Sequence, residues 1–471
     1  MKLHNTLSKQ VDDFTPRDAT TTTVYSCGPT VYDHIHIGNL SSFIFADTLR
    51  RVLSASGQNV KHVMNFTDVD DKTIKRSRER YPELDPKEAL AKLTKEYSDL
   101  FLEDMRRIGN DVDAMTFINA TDSIDGMKEL IAKLHAGGFA YIADDGVYFS
   151  IAKYRAAGKK YGQLLEISAE NTSEARIQND EYDKESAHDF ALWKKHKDGE
   201  PSWPFELDGQ TLDGRPGWHI ECSVMSRSLL GQPFDIHTGG IDLIFPHHEN
   251  EIAQSTALES DPVMAAFFVH NEHLLVEGKK MSKSLNNFFT LEDIVQKGYD
   301  PLAFRLMILQ AHYRSQTNFT WENLDAARNR LNDIYAWADL RYQMTVDFMP
   351  DELDQLFKTT REDIQKALED DLNTPMALTS LSKLMNFMSN IAIPGVEGKY
   401  TDGTLAYLES VFGLPLSSRP DITDEQKTLI KERQQARDAQ DWAKSDELRD
   451  QLQAEGLAVR DTPNGPIWSR L

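Results

Sequence analysis

The chain has 471 residues, more than one ordinary hydrophobic core accommodates, so about two to four domains are expected. Charged residues make up 27% of it and hydrophobic ones 40%, without a low-complexity tract or a run of about eighteen apolar residues, which excludes a disordered chain and a membrane-spanning helix. The net charge of −23 disfavours a uniformly phosphate-binding surface, but residues 427–471 carry eight basic and eight acidic side chains, so a polyanion is repelled least there.

Residues 1–16 hold no apolar signal segment, and a cytoplasmic protein is expected. Its two cysteines, Cys27 and Cys222, form no disulfide framework; in a reducing compartment they are buried thiols or metal ligands. In chain order, the β-branched run 22–27 predicts a strand, a loop with Gly28, Pro29 and Gly38 follows, and a helix over about 40–56 ends at Gly57. Residues 60–66 read as the next strand, giving a β-loop-α-β unit of the nucleotide-binding kind and hence a parallel sheet. Helices are expected over 86–108 and 123–136, then a hairpin over 139–151 turning at Asp145-Gly146.

Residues 160–215 are charged and poor in periodicity, which suggests an insertion between two halves of the sheet; 234–237 and 267–270 read as later strands. From 301 to about 410 the pattern is helical, including 324–336 and 353–368, and predicts a bundle. Helices continue over 423–453 before a hairpin, 457–460 and 467–470, turning at Asn464-Gly465.

His36-Ile37-Gly38-Asn39 stands where the first strand hands over to a helix, whose free N–H groups attract phosphate while Gly38 permits close approach. Lys280-Met281-Ser282-Lys283-Ser284 follows an apolar segment and a turn at Gly278; its lysines suit charge that develops as pyrophosphate leaves. The metal-ligand candidates are Cys27, His219, Cys222, His247, His248 and Glu251. His247 and Glu251 are four apart at the start of a helix after Pro246 and share a face. Two thiolates, an imidazole and a carboxylate suit zinc, whereas two buried thiols and a capping histidine pair are the structural alternative.

Taken together, these segments resemble the cysteinyl-tRNA synthetases, class I aminoacyl-tRNA synthetases. The resemblance runs through Cys27-Gly28-Pro29-Thr30-Val31-Tyr32-Asp33, the His36 to Asn39 motif, Asn65-Phe66-Thr67-Asp68-Val69-Asp70-Asp71-Lys72, GRPGWHIECS from Gly214, FPHHENEIAQS from Phe245, KMSKS from Lys280 and His312-Tyr313-Arg314-Ser315. It implies an α/β fold: a Rossmann-type parallel-sheet catalytic domain with an insertion, followed by a helical bundle and a small C-terminal anticodon-binding domain. The boundaries expected are 1–115 and 216–300 for the catalytic halves, 116–215 for the insertion, 301–410 for the bundle and 411–471 for the C-terminal domain.

The resemblance further implies one Zn2+ per chain on Cys27, Cys222, His247 and Glu251, with His219 and His248 as neighbours, and Mg2+ accompanying ATP. His36, Gly38, Asn39 and Lys283 then bind ATP; Lys280, Lys283, His36 and Asn39 serve catalysis; and Gly28, Thr67, Trp218 and Asp242 hold cysteine, Trp218 as the pocket floor. The expected partners are tRNA-Cys, ATP and L-cysteine, and the expected state a monomer with no membrane association. Four positions depart from the family pattern: Asn39 for the motif's final His, Ser41 for a common Arg, Thr238 for Gly, and Asn286 for the Gly after KMSKS. A ligase joining cysteine to an amino sugar resembles this chain through the catalytic domain alone, and the C-terminal residues argue for tRNA instead.

Overall fold

The β-branched run forms strand β1 (Thr21–Ser26), buried over its last three residues. The computed structural model describes residues 1–165, 172–176, 187–281, 287–343, 351–390, 398–462 and 465–471. Strands β2 (Asn59–Phe66), β3 (Met115–Asn119), β4 (Phe234–Gly240) and β5 (Ala265–Asn271) join β1 in one parallel sheet of order β5-β4-β1-β2-β3. Val24 of β1 faces Ile236 on one side and His62 on the other. Chain order reverses between β1 and β4, and such a switch point opens a crevice beyond the carboxyl ends of the strands. Cys27 and Thr67 follow β1 and β2 at that edge.

Three helices carry side chains to the crevice: α1 (Ile37–Ala55), α2 (Trp218–Leu230) and α3 (Glu249–Thr256). The first begins three residues before its expected start, because His36 caps it, Nδ1 accepting the Asn39 N–H at 3.2 Å. Histidine is not among the usual caps, so the pattern alone does not show this start. No helix was expected at α2. Eight consecutive residues there, from His219 to Ser226, are buried, and a helix covered all round has no amphipathic period to read.

Among the described residues of the expected insertion, a strand is present that the lack of periodicity did not announce. Ala187–Lys195 is a strand between Gly214–Pro216 and the hairpin of Gly146–Phe149 with Ala140–Ala143. Phe190, Leu192 and Trp193 on it are fully buried. The hairpin turns at Asp144-Asp145, one residue earlier than expected. Gly146 serves another purpose: a Cβ there would lie 2.1 Å from the Trp193 carbonyl oxygen, so glycine admits the neighbouring strand. Strand β3 lies across the boundary expected at 115/116.

By internal contacts the chain forms two compact units, Met1–Lys297 with Tyr313–Asn318, and Gly298–His312 with Phe319–Leu471. The second unit is helical, with Pro301–Leu309, Trp321–Asp339, Asp351–Glu369, Thr374–Asn390 and Gly398–Phe412, then Asp424–Asp438 and Trp442–Ala454. It closes with the antiparallel pair Leu457–Thr462 and Gly465–Arg470; Asn464 of the expected turn lies outside the described residues. Ile422, Leu452, Leu457 and Trp468 form a small core there. Among the described residues no helix is long and apolar enough to cross a membrane.

Asp339 ties the end of the chain to this unit. Its buried carboxylate accepts from Arg419 Nε and Nη2 at 2.9 and 2.7 Å and from Arg470 Nη1 at 2.6 Å. Asp339→Asn leaves both guanidinium groups without their anion, and the expected cost is about 3 kcal/mol, read as a lower urea midpoint for the unit. An unchanged midpoint would show the network to be energetically idle.

Candidate active site and metal centre

At the switch point, the first residues after β1 set the geometry. Gly28 donates its N–H to Asn65 Oδ1 at 2.9 Å, and a Cβ on it would lie 1.7 Å from the Asn65 carbonyl oxygen. No side chain fits there. Gly28→Ala must push β1 and β2 apart at their carboxyl ends, and a loss of about 2–3 kcal/mol in unfolding free energy is expected by chemical denaturation. A stability equal to that of the unaltered chain would contradict this geometry.

Cys27 and Cys222, both free thiols, approach with Sγ atoms 3.9 Å apart, and Cys27 Sγ lies 3.7 Å from Glu251 Oε1. His247 precedes α3 in a five-residue turn, Ile244–His248, so the helix proper starts at Glu249, later than expected after Pro246. The four-residue spacing still brings His247 Nε2 to 2.9 Å from Glu251 Oε1. The donor atoms of Cys27, Cys222, His247 and Glu251 all fall within 4.8 Å of one another, and three of the four residues are buried.

This donor set fits a metal ion. Tetrahedral zinc, with bonds of about 2.0–2.3 Å, spaces its donors about 3.3–3.8 Å apart. Although His247 Nε2 and Glu251 Oε1 are close, Nε2 is not aligned for a hydrogen bond with it or any other described group. Its other nitrogen is engaged: Nδ1 faces His219 Nδ1 at 2.9 Å, a contact that orients the ring and turns Nε2 toward the thiols.

A second grouping, Cys27, His237, His248 and Glu251, shares two of these residues. Both nitrogens of His248 are engaged, Nε2 with Cys27 Sγ at 3.3 Å and Nδ1 with His270 Nε2 at 2.8 Å. His237 Nε2 hydrogen-bonds Glu251 Oε2 at 2.9 Å. The first set, with two thiols and an unengaged imidazole nitrogen, matches soft-metal chemistry better. His237 and His270 were not singled out in the sequence, where each reads only as part of a strand; the fold alone brings both rings against His248.

Electrostatics separate the two thiols. Burial pushes the Cys27 thiol well above its ordinary value. Burial also acts to raise Cys222, but the neighbouring Cys27 thiol and His247 imidazole bring it down to about 6. For Glu251, burial is outweighed by His237 and His247, which hold the carboxylate at about 2. Burial drives His219 and His248 well below the usual imidazole range, so each ring is a neutral donor-acceptor.

Trp218, at the first position of α2, stacks on the His247 ring with centroids 4.2 Å apart, which puts an aromatic face beside the thiols. Thr67 is buried; its hydroxyl donates to Glu221 Oε2 at 2.9 Å and its backbone N–H to Pro29 O at 3.1 Å. Burial pushes the Glu221 carboxyl well up, and this residue too was missed in the sequence, since a Glu beside a Cys carries no distinguishing pattern.

A cleft at the N-terminus of α1 is lined by His36, Gly38, Asn39, Gly240, Asp242 and Lys280, and also by Glu272. Asp242 sits in the turn after β4, half exposed, with Oδ1 3.9 Å from His273 Nδ1. A Cβ on Gly38 would lie 2.8 Å from Met281 Cε, so the Met281 side chain packs over a glycine. Lys283 and Asn286 lie outside the described residues. Of the other departures, Ser41 donates to the Gly38 carbonyl at 2.7 Å. Thr238 Oγ1 lies 2.6 Å from Ser26 Oγ, which in turn lies 2.7 Å from His62 Nε2, a buried polar chain across three strands.

The fold is shared with solved structures. Mycobacterium tuberculosis methionyl-tRNA synthetase bound by methionyl-adenylate aligns with a TM-score of 0.60 at 13% identity, over 87% of this chain and 94% of that one. The leucyl enzyme of Agrobacterium radiobacter, in complex with tRNA, also gives 0.60, at 12% identity over 86% and 85%. Residues 13–329 match the family model for the tRNA synthetases class I (C) catalytic domain, so the sheet and its crevice are those of a class I tRNA synthetase. Residues 419–468 match the cysteinyl-tRNA ligase anticodon binding domain. The cysteine–tRNA ligase of Leptospira interrogans is 39% identical over 100% of this chain and 99% of its own, and that of Chlamydia abortus 40% identical over 98% and 96%. The chain therefore belongs to the cysteine–tRNA ligase family.

Proposed function

We propose that this cysteine–tRNA ligase selects its amino acid through the thiol, on a zinc ion held by Cys27, Cys222, His247 and Glu251. The observation that carries this reading is the convergence of those four donors at the switch-point crevice. When bound, zinc lowers the pKa of a thiol and favours a sulfur ligand over a hydroxyl. Trp218 then floors the pocket, Thr67 and Asp242 lie near the polar end of cysteine, and Gly28 also binds the amino acid.

The amino-acid carboxylate attacks the α-phosphorus of ATP, the bond to the bridging oxygen breaks, and pyrophosphate departs with that electron pair as its Mg2+ complex. The carboxylate is already an anion and requires no general base, so positioning and charge neutralisation do the work. His36, Gly38 and Asn39 at the head of α1 bind the phosphates, and Lys280 and Lys283 neutralise the departing group. A terminal ribose hydroxyl of tRNA-Cys then displaces AMP from the activated carbonyl.

In this reading 1–115 and 216–300 form the catalytic domain, 116–215 the insertion, 301–410 the bundle and 411–471 the part that reads the anticodon, in a cytoplasmic monomer. Support for tRNA as acceptor comes from the match at residues 419–468. ATP–pyrophosphate exchange across the amino acids, followed by charging of tRNA-Cys, tests the scheme. Exchange with cysteine alone and transfer to tRNA are expected; exchange driven equally by serine would remove the selection step.

A further inference from the structure

One helix presents three groups to the amino-acid site. Trp218, Glu221 and Cys222 of α2 are spaced three and four apart and so share a face. Trp218 and Cys222 have roles above; Glu221 has none. Its side chain is wholly buried, Oε2 accepts the Thr67 hydroxyl at 2.9 Å, and Oε1 has no hydrogen-bond partner among the described residues.

A hydroxyl has one proton and two lone pairs. The Thr67 proton is committed to Glu221, and Asn65 Nδ2 occupies one lone pair at 3.3 Å. What remains is a lone pair backed by a buried carboxyl group, which attracts an N–H donor and most strongly a charged one. The place is close to the thiols, since Asn65 Oδ1 takes the Gly28 N–H at 2.9 Å and lies 3.7 Å from Cys222 Sγ. A buried acid with one oxygen left unbonded is costly, and an incoming cation offsets that cost.

We infer that Glu221 is a positioning residue for the α-ammonium group of the amino acid, acting through Thr67. The inference rests on the proposal that Thr67 meets the polar end of cysteine. It assigns the recognition of a primary ammonium to Glu221 and Thr67, separate from recognition of the thiol.

The test compares the amino acid with 3-mercaptopropionate, which keeps the thiol and carboxylate but lacks the amine, using the metal-loaded full-length protein. Glu221→Gln should raise KM for cysteine in pyrophosphate exchange about 10- to 100-fold, the range of a hydrogen bond to a charged group. The inhibition constant of 3-mercaptopropionate and the bound-metal content should stay as in the unaltered protein, with kcat far less affected than KM. Thr67→Val should give the same split. If Glu221→Gln does not fold, Glu221→Asp, one methylene shorter, is expected to show it at smaller size. A parallel rise in both constants, or loss of metal, would make Glu221 a support for Cys222 and overturn the inference. A raised KM in Thr67→Val with none in the Glu221 variants overturns the role of Glu221 alone. An unchanged KM in Thr67→Val overturns the assignment of Thr67 itself.

Discussion

In the Cys222→Ser protein, cysteine-dependent pyrophosphate exchange should fall below detection, and zinc content by elemental analysis should fall in parallel. Serine differs from cysteine by one atom, and a pocket relying on shape rejects such a near-isostere only about 100-fold. Under the proposed zinc site the criterion is chemical instead. Cys222 is buried beside Cys27 and within the donor set that includes Glu251 and His247, so a serine hydroxyl there replaces a soft thiolate with a group far harder to deprotonate. Discrimination of roughly 10,000-fold against serine is what translation demands when no editing step corrects errors, and no segment of the sequence reads as a separate editing domain. Chelator treatment of the unaltered protein should reproduce the variant, and zinc should restore it. Were the zinc-free protein to activate cysteine and reject serine as before, the metal would be structural only, and the selection mechanism would fall.

Lys283→Ala should slow adenylate formation by about 100- to 1000-fold, the range found when one preorganised donor to a developing charge is removed. Its motivation is the KMSKS segment, whose first lysine, Lys280, lines the same cleft as His36 and Asn39. Charge on the leaving pyrophosphate grows only as the bond to the α-phosphorus breaks, so binding of cysteine should change little while the chemical step suffers. Rapid-quench measurement of adenylate, beside equilibrium binding of cysteine, separates the two effects. An unaltered single-turnover rate would place Lys283 outside the chemistry.

Much of this protein is legible in local pattern. The β-branched run before Cys27, the glycine-punctuated loop and the helix after it announce a nucleotide-binding unit, because a strand and a helix impose periods that neighbouring residues reveal. Residue types and spacing reach six candidate ligands, Cys27, His219, Cys222, His247, His248 and Glu251, and the quartet within them follows only from the resemblance to the cysteinyl-tRNA synthetases. Other features depend on residues far apart in the chain. The edge strand Met115–Asn119 is recognisable only by its pairing with β2, and α2 is hidden because burial on every side erases its period. The choice between His247 and His248 as the imidazole of the quartet is likewise tertiary. Adjacent in sequence and equally buried, they differ in ring orientation: His219 takes Nδ1 of His247 and turns Nε2 toward the thiols, whereas His270 and Cys27 engage both nitrogens of His248. Glu221 and Thr67 stand 154 positions apart and meet at 2.9 Å because β2 and α2 deliver them to one end of the sheet. Periodicity specifies which elements form, but lone pairs and protons are assigned only when distant elements pack, since a hydrogen bond depends on atoms that sequence spacing does not bring together.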